Sequence, residues 1–256
     1  MTQSANNFAE WNKLIYSSVY SPESQLHNST DRYQLQLIAV KKSLLEKHAR
    51  GLTVDLGCGI GEFSRYAASF AKQVIGIDFS SVYIDYATRV NDLASTVTFQ
   101  LGDISDTHLA EESVDCIFSY STIYYIENLR PLLLHISQIL KSDGVAILDF
   151  ANSNSLMDLI YRDSHQRGVA HNFSVPYKEL WSLINELNFE IITWRSFQLL
   201  PVQGLSKRYF YVWPLTSKLW KPLLTLTLKG KTLDERFSSS FLRRFSFRQI
   251  VVVRKK

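Results

Sequence analysis

Three glycines at alternate positions follow a short apolar segment and give the clearest chemical signal in the chain. Gly57, Gly59 and Gly61 come directly after Val-Asp-Leu at 54–56. Glycine has no Cβ and accepts a positive φ, so a ligand can approach the backbone of such a loop closely. The segment 62–70 lacks glycine and proline and favours a helix. A strand, a glycine loop and a helix together present backbone N–H groups to a ligand.

Acidic residues lie beside this loop and after the next two apolar segments. Asp55 precedes the loop, Asp78 ends the segment that begins at 73, and Asp103 follows a third segment. A carboxylate at the position of Asp78 can accept hydrogen bonds from both ribose hydroxyls of a nucleoside, and Asp103 can accept from an exocyclic amine. The local alternatives are a helix N-cap at Asp78 and a simple turn at Gly102-Asp103.

A dinucleotide site is the main competing interpretation of the glycine loop. Its fingerprint is G-x-G-x-x-G, whereas this loop reads G-x-G-x-G, which disfavours a nicotinamide-dependent oxidoreductase. A non-catalytic protein that only binds a cofactor or a partner stays open, because no general base is evident. Cys58 and Cys116 show no metal-ligand spacing, so the sequence predicts neither a metal site nor a disulfide framework.

Predicted helices and strands alternate around these residues. The predicted helices cover about 32–48, 62–70, 82–92, 129–140 and 177–187. The predicted strands cover 53–56, 73–77, 97–101, 114–119, 145–150, 189–197 and 246–253, with a tight turn at 141–144 and an irregular stretch at 199–245. This alternation predicts an α/β fold with a Rossmann-like, doubly wound parallel sheet. The expected organisation is an N-terminal helical segment and cap (1–50), an α/β core (51–198), a basic aromatic insertion (199–245) and a final strand with a basic tail (246–256).

Five short motifs occur in one order along the chain. They are Val-Asp-Leu-Gly-Cys-Gly-Ile-Gly at 54–61, Gly-Ile-Asp-Phe-Ser at 76–80, Gly-Asp-Ile at 102–104, Val-Asp-Cys-Ile-Phe-Ser-Tyr at 114–120 and Leu-Lys-Ser-Asp-Gly-Val at 140–145. With them the chain resembles the class I S-adenosylmethionine-dependent methyltransferases, and within these the small-molecule branch of the ubiquinone/menaquinone type. The resemblance implies a seven-stranded sheet whose last strand is antiparallel. It also implies methyl transfer from S-adenosylmethionine to a small molecule, with S-adenosylhomocysteine as the product.

The resemblance assigns roles to the matching residues. Asp55 and the loop backbone would hold the methionine part of the cofactor, Asp78 would bind the ribose, and Phe79 would lie against the adenine. Asp103 and Ile104 would bond to the adenine edge, and the residues just past the fourth strand would flank the methyl-transfer face. The full implied set is Asp55, Gly57, Cys58, Gly59, Gly61, Asp78, Phe79, Asp103, Ile104, Ser119 and Tyr120.

The catalytic candidates are less specific. Tyr124 and Tyr125 stand where similar enzymes often carry histidine, and a tyrosine can orient an acceptor but is a poor base near neutral pH. The alternative is structural: one ring packs under the sheet and the other is half exposed. His171 is the third candidate, with His165 beside it, because the segment after the fifth strand often covers the substrate. His135 lies in an apolar helical pattern and is interpreted as structural.

The net charge of +4 conceals a strong asymmetry. Residues 195–256 hold 14 lysines and arginines against Asp234 and Glu235, a surplus of 12, which leaves −8 on the rest of the chain. Three interpretations stay open for this aromatic-rich basic block: a solvated surface, a docking surface for an anionic or lipid-linked substrate at a membrane, and nucleic-acid binding. The acidic body and the absence of a nucleic-acid module disfavour the last. The polar N-terminus and the lack of a long apolar run predict a cytoplasmic protein, with peripheral membrane contact as an option.

Overall fold

A seven-stranded sheet organises the part of the chain that the structure describes. This computed structural model describes residues 21–22, 32–155, 157–158, 173–200 and 222–256. Within these residues the helices are α1 (Arg32–His48), α2 (Glu62–Ala67), α3 (Ser81–Arg89), α4 (Leu129–Ile139), α5 (Tyr177–Glu186) and α6 (Leu233–Ser238). The strands are β1 (Leu52–Leu56), β2 (Gln73–Asp78), β3 (Val97–Leu101), β4 (Val114–Ser119), β5 (Leu140–Ala151), β6 (Phe189–Phe197), β7 (Thr227–Leu228), β8 (Lys231–Thr232) and β9 (Arg248–Lys255).

The strand order in the large sheet is β3-β2-β1-β4-β5-β9-β6. β1 pairs in parallel with β2 and with β4, and the parallel pairing continues to β3 on one side and to β5 on the other. β9 runs antiparallel to both of its neighbours, β5 and β6. The predicted Rossmann-like sheet with an antiparallel last strand is therefore confirmed.

Helices cover both faces of the sheet, as a doubly wound fold requires. On one face, Leu132 and Ile136 of α4 and Leu180 of α5 pack into the main apolar cluster. On the other face, Leu45 of α1 and Ala67 of α2 pack against the remaining side chains of the central strands. Burial on both sides explains why β1, β2 and β4 read as nearly continuous apolar segments in the sequence.

The tight turn predicted at 141–144 is incorporated into β5. Val114 pairs with Leu140 but Cys116 pairs with Val145, so the register shifts by several residues between these two pairs. Asp143 takes a φ of 64°, and a Cβ on Gly144 would lie 2.7 Å from the Lys141 carbonyl oxygen. The turn-forming residues 141–144 therefore cause an irregularity within β5 and do not form a separate turn before that strand.

The prediction of an irregular stretch at 199–245 is wrong for its second half. Residues 222–245 contain the β7–β8 hairpin, α6 and a 3-10 helix at Phe241–Phe245. Arg195 of β6 donates to both carboxylate oxygens of Glu235, at 2.7 and 2.6 Å, and the Tyr33 hydroxyl donates to Asp234 at 2.5 Å. These contacts fix the segment to β6 and to α1. No helix in the described ranges is both long and apolar enough to cross a bilayer.

Candidate functional site

The glycine loop joins β1 to α2 at the carboxyl edge of the sheet. The N–H groups of Gly57 and Cys58 donate to the Ile77 carbonyl at 2.8 and 3.1 Å, which fixes the loop against the end of β2. The three glycines have φ values of 79°, 52° and 76°. A Cβ on Gly57 would lie 2.1 Å from Thr122 Cγ2, whereas a Cβ on Gly59 would meet no atom within 4 Å. Gly59 therefore offers the open backbone surface that a ligand can approach.

A cleft of about 460 Å³ opens above this loop. Its size lies in the range of small-ligand sites, which is roughly 300 to 1,000 Å³. The cleft brings together most of the residues predicted for the cofactor and two of the three catalytic candidates; these are Asp55, Gly57, Cys58, Gly59, Asp78, Phe79, Asp103, Ile104, Tyr120, Tyr124 and Tyr125. The carboxyl ends of β1 to β4 thus meet at one site.

Asp78 lies at the end of β2 with both carboxylate oxygens engaged by backbone. Oδ2 accepts from the Gly59 N–H at 2.8 Å and Oδ1 accepts from the Ser80 N–H at 3.0 Å. A carboxylate has about four acceptor positions, so capacity for further donors remains. Burial raises the pKa of Asp78, and these N–H groups oppose that shift. The N-cap of α3 is Ser80, whose hydroxyl accepts from Tyr83 N, so the helix-cap alternative for Asp78 is wrong.

Asp55 is almost fully buried at the end of β1. Its Oδ2 accepts from the Ser64 hydroxyl of α2 at 2.6 Å. Burial raises the pKa of Asp55 to about 7, and the Ser64 hydrogen bond opposes the shift. A carboxyl group with this pKa can be converted to its charged form by a cation placed next to it.

Asp103 both lines the cleft and forms a local turn. Its Oδ1 accepts from the Ser105 N–H at 2.8 Å, so the turn interpretation describes its backbone correctly. Ile104 is buried, and Phe79 is 36% exposed. Cys58 is a buried thiol whose pKa burial raises well above its usual value, which leaves it uncharged and unreactive at neutral pH.

Two predicted cofactor residues lie outside the wall of the cleft. Ser119 is fully buried, and its hydroxyl donates to the Leu56 carbonyl at 2.6 Å, where it links β4 to β1. A Cβ on Gly61 would lie 2.3 Å from Phe99 Cζ, so this glycine allows close packing of the loop on β3. Both positions shape the sheet edge beneath the cleft.

The tyrosine pair Tyr124 and Tyr125 lines the cleft on the segment that follows β4. The rings of Tyr124 and Tyr125 lie edge to face with centroids 4.8 Å apart. Burial raises the pKa of Tyr124, and the charge of the nearby Arg248 only partly opposes this shift, so Tyr124 is no base near neutral pH. His171 and His165 fall outside the described residues.

His135 has the structural role that its apolar surroundings indicate. It lies on α4 with Nε2 2.8 Å from Thr107 Oγ1 and 3.2 Å from Thr107 N. These contacts fasten the segment after β3 to α4. The side chain does not line the cleft.

A buried charge cluster behind the cleft was not predicted. The Asp149 carboxylate of β5 forms ion pairs through Oδ2 with Lys41 of α1, at 3.2 Å, and with Arg248 of β9. Both cations also donate to the Ser121 hydroxyl, Lys41 at 2.9 Å and Arg248 at 3.3 Å. Two signals in the sequence mark the cluster: a lone aspartate in the apolar strand Ala-Ile-Leu-Asp-Phe-Ala, and a lysine on the apolar face of α1.

Comparison with known proteins gives a consistent result. A family model described as a methyltransferase domain matches residues 54–148. The chain is 26% identical over 147 residues to a malonyl-[acyl-carrier protein] O-methyltransferase of Yersinia pestis, which covers 57% of this chain and 54% of that protein. It is 24% identical over 241 residues to the chloroplastic tocopherol O-methyltransferase of Arabidopsis thaliana, which covers 86% of this chain and 68% of that protein. For several such relatives the aligned part spans about half of their length or less.

A solved structure supports the fold over nearly the whole chain. It is geranyl diphosphate C-methyltransferase from Streptomyces coelicolor A3(2) in complex with Mg2+, geranyl diphosphate and S-adenosyl-L-homocysteine. The TM-score is 0.62 at 16% identity, and the match covers 97% of this chain and 98% of the other. The matched family model, the strand order and the loop geometry agree: residues 54–148 match a methyltransferase domain, and the α/β core that contains them has the fold of the class I S-adenosylmethionine-dependent methyltransferases.

Proposed function

We propose that this protein transfers a methyl group from S-adenosylmethionine to a small molecule. The observation that carries the proposal is the pairing of Asp78, which keeps acceptor capacity, with the open backbone at Gly59. A nucleoside with two ribose hydroxyls and no pyrophosphate suits such a pair. The relatives named for O-methylation of small molecules support the same class of reaction.

The residues of the cleft fit the parts of the cofactor. Asp55 would face the methionine amino group, which is a cation and would draw the buried carboxyl into its charged form. Asp78 would accept from the ribose hydroxyls, and Phe79, exposed at the rim, would lie on the adenine. Asp103 and Ile104 would meet the adenine edge. When bound, S-adenosylmethionine supplies an electrophilic methyl group on a sulfonium.

The part of the cleft that is formed by the residues after β4, here called the acceptor wall, would contact the acceptor. Tyr120, Tyr124 and Tyr125 enclose this side with aromatic surface, which excludes water and limits the orientation of the acceptor. Tyr120 is held rigidly, because its hydroxyl donates to the Lys41 carbonyl at 2.9 Å and its ring packs on Phe63. Neither Tyr120 nor Tyr124 has a pKa suited to a base, since burial raises both. Positioning is therefore the main contribution we assign to this wall.

Calorimetry with three ligands tests the cofactor assignment. We expect S-adenosylhomocysteine and S-adenosylmethionine to bind to the protein and NADH not to bind. Binding of NADH in place of S-adenosylhomocysteine would show that the oxidoreductase alternative is correct. A protein that binds both sulfur nucleosides but forms no S-adenosylhomocysteine with any member of an acceptor library of carboxylates, phenols and lipid-linked quinols would favour the non-catalytic alternative.

We further propose that the acceptor is reached at an anionic membrane surface. Phe241, at the start of the 3-10 helix, is 82% exposed, and Phe237, near the end of α6, is 53% exposed. Leu228 and Arg236 lie beside each other, because the Arg236 guanidinium donates to the Leu228 carbonyl. Arg243 and Arg244 follow in the same 3-10 helix. Exposed aromatic and leucine side chains among cations are typical of segments that bind anionic lipid surfaces.

Vesicle sedimentation tests the membrane proposal. We expect the protein to pellet with vesicles of phosphatidylglycerol at low salt, to pellet less in about 1 M salt, and not to pellet with phosphatidylcholine. Replacing Phe237 and Phe241 with serine should weaken binding. Phe70→Ser, at a side chain 40% exposed on another part of the chain, is the matched control. Absence of any salt-sensitive binding would refute the proposal.

A further inference from the structure

The turn after β4 joins the acceptor wall to the glycine loop. The Thr122 hydroxyl donates to the Gly57 carbonyl at 3.1 Å and also reaches the Tyr120 carbonyl at 3.2 Å. The Thr122 side chain fills the space in front of Gly57, since a Cβ on that glycine would lie 2.1 Å from Thr122 Cγ2. The acceptor wall therefore rests directly on the residue at which the glycine loop begins.

Thr122 also begins the backbone of the acceptor wall. Its carbonyl accepts from the Tyr125 N–H at 2.9 Å, across a short 3-10 helix at Ile123–Tyr125. Tyr124 and Tyr125 lie in this helix and line the cleft. Thr122 thus fixes the start of the helix and contacts the glycine loop at the same time, so it sets the distance between the two tyrosine rings and the loop.

Ser121 holds the turn in a conformation that serine rarely adopts. Its φ of 61° lies in the left-handed region, which is costly for a residue other than glycine and persists only where the surrounding contacts enforce it. The Ser121 N–H donates to Asp149 Oδ2 at 3.2 Å, and the Ser121 hydroxyl accepts from Lys41 at 2.9 Å. Asp149 and Lys41 are both buried and pair with each other at 3.2 Å. Strain that is enforced in this way is typical of functional sites.

We propose that Thr122 is a positioning residue, which holds the acceptor wall against the methyl group of bound S-adenosylmethionine through its bond to Gly57. Asp149 and Lys41 support it by fixing Ser121. This inference rests on the proposed function, because it requires the methyl donor to lie on the glycine loop. In-line transfer depends on distances that are correct to within about 1 Å, and a displacement of that size can lower a rate about a hundredfold. A hydrogen bond from the wall to the loop backbone supplies this control.

Two ligands that differ only at the sulfur test the positioning role. S-adenosylmethionine carries the methyl group and a positive charge there and S-adenosylhomocysteine carries neither, so the ratio of their Kd values reports how the acceptor wall meets the methyl group. Calorimetry on the full chain measures both values. Thr122→Val keeps the shape of the side chain and removes the hydroxyl. We expect it to weaken S-adenosylmethionine binding about threefold, as the loss of one contact between a cation and an aromatic ring would, with the affinity for S-adenosylhomocysteine unchanged within about twofold.

Three further variants identify the cause of the shift. Thr122→Ser keeps the hydroxyl and should retain the wild-type ratio of Kd values. Ser121→Ala removes the hydroxyl that accepts from Lys41, should shift the ratio in the same direction as Thr122→Val, and decides the matter if Thr122→Val does not fold. Thr107→Val is the matched control, because the Thr107 hydroxyl contacts His135 and does not line the cleft. It should retain the ratio even if its melting temperature falls.

The outcomes are distinct for the two proposals. A wild-type protein that binds neither ligand would contradict the proposed function itself. Normal wild-type binding with an unchanged ratio in folded Thr122→Val, or in Ser121→Ala if that protein does not fold, would overturn only the positioning role. An equal loss of affinity for both ligands in Thr122→Val would also overturn it, because Thr122 would then support the glycine loop alone. A shift in Thr122→Ser as large as that in Thr122→Val would overturn the role of the hydroxyl.

Discussion

Replacing Asp78 with asparagine isolates the contribution of its carboxylate to cofactor binding. The aspartate accepts from the N–H groups of Gly59 and Ser80 at 2.8 and 3.0 Å and keeps capacity for the two ribose hydroxyls. Asparagine has the same shape but only one acceptor oxygen and no charge. The variant therefore loses one ribose hydrogen bond and the charge assistance of the other.

The magnitude follows from these two losses. A hydrogen bond to a charged group contributes about 1.5–3 kcal/mol, and a neutral one about 0.5–1.5 kcal/mol. Losing one charged bond and weakening the other should cost about 3 kcal/mol of binding free energy, which corresponds to roughly a hundredfold higher Kd for S-adenosylhomocysteine. The NH2 group of asparagine also has to face the Gly59 or the Ser80 N–H, and this adds to the loss.

Isothermal titration with S-adenosylhomocysteine measures the effect, and a thermal melt confirms that the variant is folded. Asp85→Asn, at an exposed aspartate on α3 outside the cleft, is the matched control and should bind as the wild type does. A folded Asp78→Asn protein whose Kd lies within about threefold of the wild-type value, less than 1 kcal/mol, would refute the ribose assignment.

Three further predictions concern the cofactor loop and the packing around it. Burial raises the pKa of Asp55 to about 7, so its charged form grows as the pH rises. The affinity for S-adenosylhomocysteine should therefore fall about tenfold per pH unit below 7 and level off above it, and titrations from pH 5.5 to about 8 should show this slope vanish in Asp55→Asn. Gly57→Ala should lower the melting temperature strongly, because its Cβ would lie 2.1 Å from Thr122. Gly59→Ala, whose Cβ meets no atom but whose φ of 52° disfavours alanine, should lower it less and should bind S-adenosylhomocysteine weakly; normal binding would place the cofactor elsewhere. Tyr33→Phe removes the donor to the buried Asp234 and should lower the free energy of unfolding by about 1–3 kcal/mol, as measured by urea denaturation, and an unchanged midpoint would contradict this role.

The central strands and the cofactor edge could be predicted because they depend on local pattern. β3 and β4 begin and end at the predicted residues, since buried parallel strands appear as short apolar segments. Asp78 and Asp103 follow such segments, and parallel topology alone brings the ends of those strands together. The sequence therefore predicts those residues whose place at the edge of the sheet follows from the order of the strands along the chain.

The charge cluster around Asp149 could not be predicted in the same way. Asp149 and Lys41 were visible as charged residues in apolar surroundings, but nothing local indicates that they meet, or that Arg248, which follows Asp149 by 99 residues, joins them. The segment 222–245 shows a similar limitation. Its short elements have weak periodicity and are fixed by distant partners, such as Arg195 for Glu235.

The position of β9 determines when the seven-stranded sheet can be completed. This strand lies between β5 and β6, yet it follows β6 by about fifty residues in the chain. While the protein is being synthesised, β6 has no neighbour in the sheet until residues 248–255 have emerged, and folding depends on contacts of long sequence separation. Arg248 arrives with the same strand, so the charge cluster around Asp149 gains its second cation only at that moment. A chain arrested before this step could already form the glycine loop and the ends of β1 and β2. A cofactor-binding assay alone would then not distinguish this partly folded chain from the fully folded protein.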